Sequence, residues 1–165
     1  MPELTLNEIH AVCNAVITRT HTYQPLQWIA FKTLQATGCR EGEVCDLTRW
    51  SLNKIGVYEL RPEKGSKIRK FEAVDLPMDF REWIAGRKNG RAPTSVDRLR
   101  SSFRQMSPYA RITSGKKGIS THLFRYAFMR DLEKNGKTLE EIKEIMGLSS
   151  TKVARGYLGN PVIGE

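Results

Sequence analysis

Over the first 38 residues apolar positions recur at three- and four-residue intervals, and polar or turn residues mark the stops between them. Ile9, Val12, Cys13 and Val16 share one face of a helix predicted from Leu4 to Thr20, which Thr5 and Glu8 open as a T-x-x-E capping box. His21 to Gln24 reads as a loop. Pro25 then suits the first turn of a second helix, with Leu26, Ile29, Ala30, Thr33 and Leu34 on its buried side and Gly38 as its stop. A short helix follows Arg40. The period then changes to two: Ile55 to Leu60 and Ile68 to Leu76 read as antiparallel strands around the turn R-P-E-K-G-S. Helical spacing returns in Asp79 to Ala85, which packs Phe80, Trp83 and Ile84, and in Ser95 to Met106, with Val96, Leu99 and Phe103 as its stripe. A longer helix runs from Ser120 or Thr121 to Asn135 on Phe124, Ala127, Phe128 and Leu132. Thr138 and Glu141 make a second capping box ahead of Leu139, Ile142, Ile145 and Met146, and Gly147 ends that helix. Ser149 or Ser150 opens a last short helix carrying Tyr157. The pattern gives an α+β fold, mainly α-helical, with a small antiparallel β-hairpin or sheet near residues 55–76.

Composition narrows this picture. A chain of 165 residues with 39% apolar content suits one domain with one sizeable core. It has no apolar run long enough for a bilayer, and M-P-E-L-T-L-N-E lacks the basic and apolar regions of a secretory signal. Cys13, Cys39 and Cys45 are odd in number and form no C-x-x-C pair, which argues against a disulfide framework or a zinc site and for a reducing, cytoplasmic setting. The net charge of +9 is concentrated: Arg81 to Lys117 holds ten basic residues against Glu82 and Asp97. Such a stretch suits a polyanion, although a solvated surface is the plain alternative. Arg98, Arg100 and Arg104 lie on a predicted helix, and Arg111, Lys116 and Lys117 lie in the connector after it.

His122 and Arg125 are three apart, so both side chains project from one helix face. An imidazole beside a guanidinium can hold a phosphate. Arg40 stands at a helix start, where a cation opposes the dipole but can grip an anion, and Glu43 can brace it. A surface Arg40–Glu43 pair worth little is the alternative. Lys64 and Lys67 sit near the hairpin tip, where a lysine is usually just solvated. Tyr157 is a lone tyrosine after two capped helices, a candidate nucleophile or a pocket filler.

In order and local context these pieces resemble the catalytic domain of the tyrosine recombinase (phage integrase) family. T-G-C-R-E-G-E-V-C-D-L is similar to its first arginine box and E-K-G-S-K-I-R-K to its hairpin lysine segment. H-L-F-R-Y-A-F-M-R-D-L-E-K-N-G is similar to its H-x-x-R box, and E-I-M-G-L-S-S-T-K-V-A-R-G-Y to its final box. The resemblance covers essentially the whole chain. It implies a single catalytic domain over residues 1–165 without the usual N-terminal core-binding domain. It also implies cleavage and rejoining of double-stranded DNA through a 3′-phosphotyrosyl intermediate, without ATP, metal or other cofactor. Arg40, Lys64, His122, Arg125 and Tyr157 would be catalytic. The arginines would hold non-bridging oxygens, and Lys64, with Lys67 as runner-up, would protonate the 5′ leaving oxygen. His122 would bond the phosphate or accept the tyrosine proton, and Tyr157 would attack. From its charge, the basic span from Arg81 to Lys117 is expected to contact the DNA backbone, with Arg98, Arg100 and Arg104 foremost and Arg111, Lys116 and Lys117 beside them.

The chain departs from the family pattern at Leu148, nine residues before Tyr157, where histidine or tryptophan is usual. Leucine cannot bond a phosphate oxygen but can pack against the site, which predicts an enzyme slower than its Leu148→His variant. With a short tail after Tyr157, a monomer is expected without DNA and a tetramer on recombination sites, with no membrane or small-molecule partner. A non-catalytic or attenuated DNA-binding module on the same fold and a tyrosine-type topoisomerase are the alternatives.

Overall fold

The first helix starts as its capping box predicts: Thr5 Oγ1 accepts from the Glu8 amide and Glu8 Oε1 from the Thr5 amide, both at 3.0 Å. The computed structural model describes residues 3–63, 67–86, 92–112, 116 and 118–158, and these form eight α-helices and one small sheet. Helix α1 (Leu6–Tyr23) and helix α2 (Pro25–Thr37) are followed by the short α3 (Glu41–Val44). Strands β1 (Trp50–Leu52), β2 (Tyr58–Leu60) and β3 (Arg69–Phe71) come next, then α4 (Met78–Ala85) and α5 (Val96–Met106). The chain closes with α6 (His122–Lys134), α7 (Leu139–Met146) and α8 (Thr151–Leu158). This is the expected mainly helical α+β architecture. None of the described helices is long and apolar enough to cross a membrane.

The sheet is antiparallel in the order β1-β2-β3, pairing Trp50 with Leu60 and Tyr58 with Phe71. It has one strand more than the pattern predicted, and its strands are shorter. Ile55 belongs to a turn, not a strand, because Asn53 Oδ1 takes the amides of Ile55 and Val57 at 3.0 Å each. That side chain outcompetes a ladder for those donors. After Phe71 the chain leaves the sheet through a single helical turn at Ala73–Asp75. The turn residues 64–66, with Lys64, lie outside the described residues, as do Lys117 and residues 159–165.

Two other expectations are corrected. His21 to Tyr23 continues α1 instead of looping out, since no glycine or proline stops it, and Gln24 alone (φ −143°) turns the chain. In α2, Leu26 is exposed and Phe31 is fully buried, because the core lies beyond the first turn. There Phe31 stacks on Phe124 at 5.5 Å, and Phe103 meets Phe124 edge-on at 6.4 Å. This aromatic centre joins α2, α5 and α6. A second apolar cluster of Met129, Ile142, Met146, Leu148, Ala154 and Leu158 joins α6, α7 and α8. Leu139 packs at its margin, whereas Ile145, expected on the buried face, is exposed.

Gly38 and Gly147 both adopt left-handed conformations that end helices, and both are also close approaches. A Cβ at Gly38 would meet Phe128 at 2.7 Å, and one at Gly147 would meet the Lys67 carbonyl at 2.5 Å. These two glycines let α6 and the start of β3 press against the turns that carry Arg40 and Leu148.

Candidate active site

The segment Thr37 to Arg40 is the anchor of the site. Two buried arginines grip successive carbonyls there: Arg69 Nη2 donates to Thr37 O at 2.6 Å, and Arg125 Nη1 to Gly38 O at 2.8 Å. Carbonyls at a helix C-terminus carry partial negative charge, so they are good seats for cations. Arg40 then caps α3. Glu43 Oε1 accepts its amide at 2.7 Å, and Glu43 Oε2 accepts its Nη1 at 3.3 Å and the Glu63 amide at 3.1 Å. Glu43 is only 1% exposed, so this is not a weak surface pair. Its carboxylate fixes Arg40 and the entry to the hairpin turn together.

Arg125 is 1% exposed in the first half of α6. Its Nε donates to Tyr157 Oη at 3.3 Å. Its Nη2 is buried with no hydrogen-bond partner among the described residues, an arrangement that costs free energy until an acceptor arrives. His122, one turn earlier, stacks its ring on Tyr157 with centroids 5.4 Å apart. Desolvation, then the charges of Arg125 and Arg40, hold the His122 pKa below the usual imidazole range against the opposing pull of Glu41. The ring therefore favours its neutral form at neutral pH.

Arg40, His122, Arg125 and Tyr157, predicted from three separate segments, line one cleft of about 730 Å³. Arg100 and Arg104 line it from α5. Arg98 and Arg111 are exposed outside it, and Lys116 pairs with Glu8 on α1 at 3.9 Å. Lys67 is exposed, with its ammonium 3.6 Å from Glu144. Lys64 lies outside the described residues. Leu148 is 1% exposed and belongs to the cluster beneath α8, against which Tyr157 also packs. It is not among the residues that line the cleft, so the gain expected of a Leu148→His variant loses its structural basis.

Three features of the site escaped the sequence. Arg69 is 3% exposed, with Nε on Ile145 O at 3.0 Å as well as Nη2 on Thr37 O, so it ties the ends of α2 and α7 to β3. Burial lowers its pKa to about 10, which leaves it charged at neutral pH. Its signal was the strand alternation, which puts Arg69 on the same side as the buried Phe71. Glu41 reaches Arg100 and Thr121 across the cleft mouth, and Glu63 also lines the cleft. No local pattern announces these contacts.

No family model and no curated protein matches the sequence. Among solved structures, a lambda integrase fragment dimer bound to a COC′ core site matches with a TM-score of 0.66 at 18% identity, over 93% of this chain and 58% of that one. XerH recombinase in a post-cleavage complex with a palindromic difH substrate matches at 0.63 and 18%, over 94% and 49%. A lambda integrase tetramer bound to a Holliday junction matches at 0.64 and 16%, over 93% and 47%. The chain thus has the fold of a tyrosine recombinase catalytic domain, and it spans about half the length of the chains it matches.

Proposed function

We propose that this chain cleaves and rejoins DNA strands as a tyrosine recombinase catalytic domain, through a 3′-phosphotyrosyl intermediate. The observation that carries this reading is the pairing of Tyr157 Oη with Arg125 Nε, in a cleft where the buried Arg125 Nη2 still lacks an acceptor. A phosphate entering between Arg125 and Arg40 would satisfy that donor and sit against the tyrosine.

Tyr157 Oη attacks the scissile phosphorus, the bond to the 5′ oxygen breaks, and that oxygen leaves as a hydroxyl. A phenol is a weak nucleophile at neutral pH, its free pKa being about 10. Two features of the site help. Arg125 donates to the phenolic oxygen and holds it beside the guanidinium that would bind the phosphate, and the neutral His122 ring next to it would take the proton once turned toward the phenol. Arg40 and Arg125 offset charge on the non-bridging oxygens as it builds. Lys64, on the family resemblance, supplies the proton to the leaving oxygen. Reversal by an incoming 5′ hydroxyl rejoins the strand, because the phosphotyrosyl bond conserves the energy of the one broken. Double-stranded DNA would lie along the cleft mouth against Arg100 and Arg104, with a monomer in the free state and a tetramer on recombination sites.

The test is covalent trapping on a nicked suicide duplex, read on a denaturing gel with Tyr157→Phe as control. A shifted band that is lost in the control is expected. No band from the native chain, with DNA binding retained, would refute cleavage and favour a binding module.

A further inference from the structure

A carboxylate at the mouth of an anion-binding cleft ought to repel the ligand. Glu41 occupies that place, yet its charge is fully engaged. Oε1 accepts from Arg100 through both Nε, at 2.7 Å, and Nη2, while Oε2 accepts from Thr121 Oγ1 at 2.5 Å. The three residues come from three separate places in the chain. Glu41 opens α3, directly after Arg40; Arg100 is on α5; Thr121 directly precedes α6 and His122. Thr121 is buried, and its hydroxyl makes no capping bond to α6, so the usual N-terminal role of a threonine has been given up for Glu41.

We propose that Glu41 is a positioning residue of the cleavage reaction, which locks the start of α6, and with it His122, against the Arg40 turn by bridging Thr121 to Arg100. The proposal rests on the strand-cleavage reading above. Without the bridge, the start of α6 loses its tie to α3, and His122 is free to shift relative to Tyr157. The role differs from that of Glu43, which holds the Arg40 and Glu63 amides and the Arg40 guanidinium. It also explains how a carboxylate is tolerated: Arg100 neutralises it and remains at the cleft rim for DNA. The charged groups facing His122 are Arg125 on its own helix, Arg40 and Glu41, with Tyr157 stacked on it from α8. Glu41 alone of these charges favours the protonated ring.

The experiment compares Glu41→Ala, Glu41→Gln, Thr121→Val and the Glu41→Ala/Thr121→Val double variant in single-turnover trapping on suicide DNA. In parallel, the His122 ring is followed by NMR in the free protein. Glu41→Ala is expected to lower the rate at saturating DNA by about ten- to a hundredfold, the loss a small misplacement of a reacting group causes. The half-saturating DNA concentration should change far less. Glu41→Gln, whose amide can still accept from Arg100 and bond Thr121, should restore most of the rate while the His122 titration midpoint falls. Thr121→Val should reproduce the rate loss in a protein with an intact Glu41–Arg100 pair. The double variant should be no slower than Glu41→Ala alone. His122 resonances should move in both single variants that break the bridge. A loss confined to the half-saturating concentration, additive effects in the double variant, or unmoved His122 resonances would overturn the proposal. If the native chain forms no covalent complex, the cleavage reading fails, and the His122 resonances alone decide whether Glu41 positions the ring.

Discussion

Glu43→Ala should be among the most damaging single changes in this chain. Its carboxylate is 1% exposed and holds two backbone amides and one guanidinium nitrogen, at 2.7, 3.1 and 3.3 Å. Removal strands the Arg40 and Glu63 amides, at a cost of about 1–3 kcal/mol each where water cannot reach, and frees Arg40 from its brace. Losing one partner of a buried charged network costs about 3–5 kcal/mol in total, well above the roughly 0–1 kcal/mol of an exposed pair. For a domain of this size each kcal/mol moves the melting temperature by about 2–4 °C, so a fall of roughly 6–20 °C is expected. Glu43→Gln should lie between, because its amide keeps one acceptor but turns an N–H toward a second donor. Glu43→Asp should also lose stability, since the shorter side chain cannot reach Arg40 and Glu63 together. Thermal unfolding followed by circular dichroism, with urea midpoints as a second measure, checks this order. A Glu43→Ala protein within about 1 kcal/mol of native would refute the claim that this buried carboxylate organises the Arg40 turn.

Three further outcomes follow from the same geometry. Arg104→Ala should weaken DNA binding about equally across sequences and reduce the slope of log affinity against log salt by about one; an unchanged slope would move the DNA face away from α5. The His122 pKa is depressed, so the ring gains its proton only as pH falls below the usual 6.5. If neutral His122 accepts the tyrosine proton, the trapping rate should drop on the acid side with a midpoint below 6.5, and Gln at position 122 should abolish that limb; a limb that persists would assign the base elsewhere. Leu148→His places an imidazole in an apolar cluster, where an unpaired polar group costs about 1–3 kcal/mol. A lower melting temperature without a gain in rate is expected; a faster variant of native stability would show that the side chain can leave the cluster for the cleft.

The helices were legible because their signals are local. Capping boxes at Thr5 and Thr138, stops at Gly38 and Gly147, and apolar stripes of three or four residues all lie within one turn or two of each other. The strand boundaries were not, since three-residue strands hold too few alternations to set a period, and Asn53 hid a turn inside an apparently β-branched run. The site divided along the same line. Arg40, His122, Arg125 and Tyr157 sit in recognisable boxes, and the fold brings those boxes to one cleft. Glu41 gave no sign, because its partners are Arg100 and Thr121, 59 and 80 residues away, and R-E-G-E offers two glutamates with no local reason to give them different tasks.

Arg69 shows where a physical signal was present and passed unread. In K-I-R-K-F the charges suggest a solvated strand, yet period two sends Arg69 and Phe71 to one side and Lys70 to the other. A cation on the side of a buried phenylalanine must find acceptors or lose its proton. It finds the last carbonyls of α2 and α7, and its guanidinium lies 4.9 Å from the centre of the Phe71 ring. Arg69 and Arg125 thus place two like charges behind the Arg40 turn, tolerated because helix ends supply the opposite polarity. The anion-binding character of the cleft is therefore built from the interior outward. Helix C-termini hold the buried guanidiniums, these guanidiniums hold the Arg40 turn, and the one buried donor still unsatisfied on Arg125 is left for the ligand.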